Sequence, residues 1–169
     1  MKINTLHIYI IILLAFLGSS CNKLSPAGFW TNYEKELIKE KYSNQGPWGG
    51  KRYIHWQAND NHFFDLKNMF EFANDNGWHL IDTIMFSSED LKRFTKNNKP
   101  SFPFTYTDFN DPLDDNQFPR WIITDATLYR FTTGWVAIEP GNLNSTEFNG
   151  YLLVNDKENE VTIYHLWGE

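Results

Sequence analysis

Cysteine is almost absent from this chain: Cys21 is the only one among 169 residues, so no internal disulfide can staple the fold. Long apolar runs are missing too. Ile8 to Leu17 is the longest, ten residues, where a membrane-spanning helix needs about 20. There is no G-x-S-x-G elbow, no H-E-x-x-H pair and no phosphate-cradling glycine loop, which removes the common signatures of serine hydrolases, zinc proteases and nucleotide-binding enzymes. Basic side chains are in deficit, 15 Lys and Arg against 21 Asp and Glu, for a formal charge of −6. A surface of that sign is repelled by phosphate backbones, which argues against nucleic acid as a partner.

What is present begins with an address. Lys2 gives a charged start, Ile8 to Leu17 a greasy middle, and Gly18, Ser19 and Ser20 a small-residue exit; a signal-peptide core needs only about 7 to 15 apolar residues. Leu17, Gly18, Ser19, Ser20 and Cys21 resemble the lipobox of bacterial lipoproteins. That resemblance covers the first 21 residues. It implies cleavage before Cys21, lipidation of its sulfur, acyl chains of the palmitate type, and anchoring in the cell envelope. Asn22 in place of aspartate leans the expectation towards the outer membrane over the inner. Gly18 and Ser20 also satisfy the small-x-small pattern of ordinary signal peptidase, which keeps plain secretion open as the alternative.

The expected organisation is a cleaved segment over 1–20, the lipidated cysteine and a tether over 21–29, and one globular domain over 30–169. That length is enough to bury a core without staples. Thr31 with Glu34 has capping-box spacing and predicts a first helix to about Tyr42, with Tyr33, Leu37 and Ile38 inward. Lys51 to Gln57 alternates as a strand. His62 to Asn76 places Phe63, Leu66, Phe70 and Ala73 at helical spacing and closes with Gly77. Trp78 to Phe86 predicts a strand and Ser88 to Lys96 a short helix carrying Leu91 and Phe94. Four more strands are expected at Arg120–Asp125, Gly134–Glu139, Phe148–Val154 and Val161–Trp167, the last two joined by a hairpin-length loop. The sum is an α+β domain: a largely antiparallel sheet with two or three helices on one face and a β-rich C-terminal half.

Chemistry-bearing residues cluster in three places. His55, Asp60, His62 and Asp65 fall at the end of a strand and the start of a helix, where a histidine and carboxylate set could act as acid and base in a hydrolase of envelope polymers; turn and cap roles are the competing explanation. Asp108, Asp111, Asp114 and Asp115 crowd one loop and invite calcium, although the regular D-x-D-x-D-G spacing is missing and a solvated acidic loop competes. Trp48, between Pro47 and Gly49, and Trp30 sit in turns, where they could anchor a glycan or a partner protein; most of the seven tryptophans are expected in the core. His79 and Asp82 read as structural, and His165 as satisfied or half-exposed. With no catalytic signature, a tether and an acidic surface, the leading expectation is a non-catalytic protein-binding lipoprotein, an immunity-type protein being one form of it. An envelope-polymer hydrolase and a carbohydrate-binding lipoprotein are the alternatives.

Overall fold

The computed structural model describes residues 26–47, 49–59, 62–102, 118–138 and 145–168. Six strands form the main sheet: β1 (Ile38–Gln45), β2 (Gly49–Gln57), β3 (His79–Phe86), β7 (Ala126–Ile138), β8 (Ser145–Asn155) and β9 (Glu160–Gly168). Their order is β1-β2-β9-β8-β7-β3, and every adjacent pair is antiparallel. A second, small sheet holds β4 (Thr95–Lys96), β5 (Lys99–Phe102) and β6 (Phe118–Pro119). Among the described residues two α-helices, α1 (Leu66–Asp75) and α2 (Ser88–Lys92), complete the α+β architecture.

The central strand explains why the C-terminal run is apolar on both sides. In β9, Val161 and Ile163 are buried in one cluster while Tyr164 is buried in the other, as expected of a strand covered on both faces. The register carries this across the sheet: Ile54 and Leu152 both oppose Ile163, and Tyr53 and Tyr151 both oppose Tyr164. Over the first face lie Leu66, Met69, Phe70 and Ala73 of α1, together with Trp30 and Trp78. Over the second lie Leu91 of α2, Phe94, Phe102, Phe118 and Ile122. The two helices therefore occupy opposite faces instead of sharing one.

Several local expectations change. No α-helix spans 31–42: two single 3₁₀ turns, Gly28–Asn32 and Lys35–Leu37, lead straight into β1. Thr31 Oγ1 donates back to the Gly28 carbonyl at 2.8 Å instead of capping, and Glu34 takes a left-handed conformation at φ 38°. The sheet then claims the remainder, because Tyr42 stacks on its cross-strand partner Tyr53 at 5.1 Å. Tyr33, Leu37 and Ile38 do pack inward. Trp30, a candidate anchor that could instead fold back onto the sheet, is fully buried, edge-on to Trp78 at 5.5 Å and to Trp56 at 6.1 Å.

The α1 helix starts at Leu66 because Asp65 is its cap, accepting from the Lys67 and Asn68 N–H groups. Phe63 lies ahead of that cap and is exposed, while Met69 and Ala73 are buried. Gly77 does follow the helix, at φ 81°. The α2 helix opens with a capping box between Ser87 and Asp90 and stops at Lys92. Beyond it Asn97 and Asn98, at φ 51° and 60°, turn the chain into the β4–β5 hairpin, since asparagine tolerates the left-handed pair that a two-residue turn needs. Residues 120–125 form no strand; β7 begins at Ala126 and runs through Gly134, with register shifts after Phe131 and Thr132. Those irregularities break the alternation that would mark a 13-residue strand.

Candidate functional site

Three of the four residues in the expected acid–base set are described, and they do not converge. His55 on β2 is buried with its Nδ1 3.0 Å from Thr162 Oγ1. Its ring stacks on Trp121 at 4.9 Å with an interplanar angle of 11°. Thr162 and Trp121 mark this as the face opposite α1, so His55 points away from the helix that Asp65 caps. The Asp65 carboxylate is occupied by two backbone N–H groups and the Asn68 amide. His62 is exposed, with its ring edge-on to Phe64. Asp60, Trp48, Cys21 and the acidic loop with Asp108, Asp111, Asp114 and Asp115 lie outside the described residues. Among the described residues no three His, Cys, Asp or Glu side chains gather into a group able to hold a metal.

His79 and Asp82 each have a separate partner. His79 Nδ1 meets Asn74 Oδ1 at 2.8 Å. Arg130 grips Asp82 through two parallel hydrogen bonds, Nε to Oδ1 at 2.6 Å and Nη2 to Oδ2. That contact holds the Asp82 carboxyl below its ordinary range.

His165, expected to be satisfied or half-exposed, is fully buried, and its neighbours fix its protonation. Asn149 Nδ2 donates to the carbonyls of Trp135 at 2.7 Å and Leu166 at 3.0 Å, leaving Oδ1 as an acceptor. Thr133 Oγ1 donates to that oxygen at 2.7 Å. Thr133 then accepts from His165 Nε2 at 3.2 Å, so the proton sits on Nε2. Burial, reinforced by nearby Arg52, pushes the His165 pKa down to about 3. This is a neutral, structural histidine inside the wall made by Trp78 and Trp167.

Two surface features remain, and neither was singled out by motif. The first is the contrast between the two edges of the main sheet. At one edge β1 displays Lys39, Glu40 and Lys41, the charged guard that keeps unpaired strands apart. At the other, β3 exposes Leu80 at 43%, Ile81 at 47% and Met85 at 84%, and its one acid, Asp82, is held by Arg130. No described strand pairs with the outer side of β3. A cleft of about 290 Å³ opens at its end, lined by Met85, Phe86 and Thr127 with Asp125 and Asp156.

The second is an aromatic strip across the face opposite α1. Tyr42 stacks on Tyr53, Tyr53 meets Trp121 at 5.5 Å, and Trp121 lies flat over His55. Tyr42 is 40% exposed, and Tyr53 and Trp121 are half-buried. Burial lowers the His55 pKa to about 4, so a neutral imidazole lies beneath the indole at physiological pH. Trp121 escaped the sequence reading because it belongs to a segment with neither helix nor strand; aromatic density was the only available signal. No family model, curated protein or solved structure matches this chain.

Proposed function

We propose that this chain is a non-catalytic, lipid-anchored envelope protein that binds a protein partner by accepting the partner's extended segment at the edge of β3. The observation that carries this reading is the asymmetry of the sheet: one edge is guarded by charge, and the other is apolar and unguarded. An added strand would complete the backbone hydrogen bonding of β3, with alternate apolar side chains resting on Leu80 and Met85. Asp125 and Asp156 beside the terminal cleft suit a Lys or Arg on that segment, and the acidic chain as a whole favours a basic partner. An immunity-type protein that captures an incoming toxin fits this chemistry. Hydrolysis is less well supported, because among the described residues no carboxylate pairs with the exposed His62, and Asp65 is committed to its cap.

The lipid anchor rests on Cys21 and the lipobox-like residues before it, with the outer membrane as the favoured site. The test places p-benzoylphenylalanine at Met85, and separately at Lys39 on the opposite edge, in the full chain within its native envelope. A Cys21→Ser form serves as the mislocalised control. Expected is one protein adduct from position 85, absent from position 39 and lost in the Cys21→Ser form. Adducts from position 39 alone, or from neither position, would overturn the edge assignment.

A further inference from the structure

The aromatic strip has a composition that core packing alone does not require. Tyr42 is exposed at the outer end of the strip, and Tyr53 and Trp121 are half-buried, Tyr53 packing against the cluster on the second face. His55 stacks on the Trp121 indole at 4.9 Å, and Tyr53 meets it at 5.5 Å. Next along the same face of β2, about 7 Å on from His55, comes Gln57, whose Nε2 donates to Glu160 Oε1 at 2.9 Å. Gln57 also lines a polar cleft of about 300 Å³ with Lys39, Ala58 and Asn59.

Flat aromatic faces beside amide and carboxylate groups match one kind of ligand: a ring with apolar C–H faces and a rim of hydroxyls that both donate and accept. The amides of Gln57 and Asn59 supply donors and acceptors together, Glu160 an acceptor and Lys39 a donor. The charges around the strip, Lys39 against Glu40 and Glu160, are of mixed sign, so no strong field selects an ion. We infer that the strip formed by Tyr42, Tyr53, Trp121 and the Gln57–Asn59 cleft is a binding site for a neutral saccharide chain, stacked on Trp121. The site lies at the β1–β2 side of the sheet, remote in strand order from β3, and stands whether or not β3 binds a protein.

The full lipidated chain, held in a detergent that is not a glycoside, is titrated calorimetrically and by tryptophan emission with cellohexaose, chitohexaose and mannohexaose. Saturable binding of at least one oligosaccharide is expected, with loss of that binding in Trp121→Ala. Gln57→Ala is expected to weaken it roughly tenfold while leaving the melting curve unchanged. Because Trp121→Ala can disturb folding, Gln57→Ala decides the matter when that variant melts early. Ile81→Lys on β3 should bind the sugar as the parent does. No saturable binding by any of the three sugars, or undiminished affinity in Gln57→Ala and in a folded Trp121→Ala, would overturn the assignment.

Discussion

The Arg120 guanidinium donates through Nη2 to the carbonyl oxygen of Leu91 at 2.7 Å, joining residues 29 positions apart. The same group reaches the carbonyls of Phe94 at 3.3 Å, Ile122 at 2.7 Å and Ser101 at 2.9 Å. A buried cation is thus held by backbone oxygens, one of them, that of Leu91, in the last turn of α2 at its negative end. It fastens α2, β5 and the segment before β7 into one cap over the second face of the sheet. Removing it takes a charged donor from four carbonyls, of which those of Leu91 and Phe94 keep a backbone N–H, from Phe94 and Ser101 respectively, at 3.1 Å. Arg120→Met is expected to cost about 3–5 kcal/mol, and Arg120→Lys less, since an ammonium keeps the charge but lacks the planar fork. Urea denaturation of both variants measures this; equal midpoints for parent and Arg120→Met would show that the clamp contributes nothing.

How much of this could be read from the chain differs by element. The α1 helix was legible because its apolar spacing, its following Gly77 and the preceding asparagine and aspartate run are all local signals. The β8–β9 hairpin was legible for the same reason: Asn155 Oδ1 accepts from the N–H groups of Asn159 and Glu160 and closes the loop within six residues. The false helix over 31–42 had the right spacing with the wrong chemistry. Inward placement of Tyr33, Leu37 and Ile38 is satisfied equally by turns feeding a strand. Edge position was invisible, because β3 reads His79 to Phe86 as an apolar run that suits a buried strand. Only its place beside β7, set by pairings between distant segments, leaves Ile81 and Met85 in water. A cap is expected at residues 59–61 with the helix beginning at His62, whereas Asp65 is the cap and the helix begins at Leu66; the stacking of Trp121 on His55 joins residues far apart in sequence and left no local trace.

Gly50 and Gly150 mark two close approaches in the sheet. A Cβ on Gly50 would lie 2.2 Å from the Asn44 carbonyl oxygen and 2.6 Å from Trp167 Cζ2. On Gly150 it would lie 2.5 Å from Thr133 Cγ2 and 2.8 Å from Trp78 Cζ3. Gly50→Ala meets backbone, which cannot swing aside, so it should destabilise more than Gly150→Ala, with both costing about 1–3 kcal/mol. Gly46→Ala is the control, its nearest neighbour being 3.5 Å away, and should shift the thermal midpoint least of the three.

The two buried histidines make the fold sensitive to mild acid. Both are neutral in the folded chain, with pKa values lowered by burial to about 4 for His55 and about 3 for His165, against about 6.5 when unfolded. Below pH 6.5 the unfolded chain therefore binds more protons than the folded one. Their contribution is fully present above that value and is lost as pH falls from about 6.5 towards 3, by an amount on the order of a few kcal/mol. Urea midpoints measured between pH 7 and pH 4 should fall, and His55→Gln, which keeps a neutral polar group beside Thr162, should flatten the upper part of that fall. A parallel decline in parent and variant would remove His55 from the account.

Lysine on an edge strand is a common device against unwanted pairing, and β1 already carries two, Lys39 and Lys41. Giving β3 the same protection, as Ile81→Lys with Met85→Lys, should cost little stability: Met85 is largely in water and Ile81 is about half exposed, and such surface substitutions usually stay within about 0.5 kcal/mol. The effect should appear instead in association. The parent should show concentration-dependent self-association or partner capture through its apolar edge, and the double variant neither, in sedimentation and in recovery from the envelope. A melting point lowered by many degrees would mean that Ile81 and Met85 support the fold itself. An unchanged melting point with undiminished capture would place the partner elsewhere on the molecule, and the guarded edge of β1 would then no longer explain why the two sides of the sheet differ.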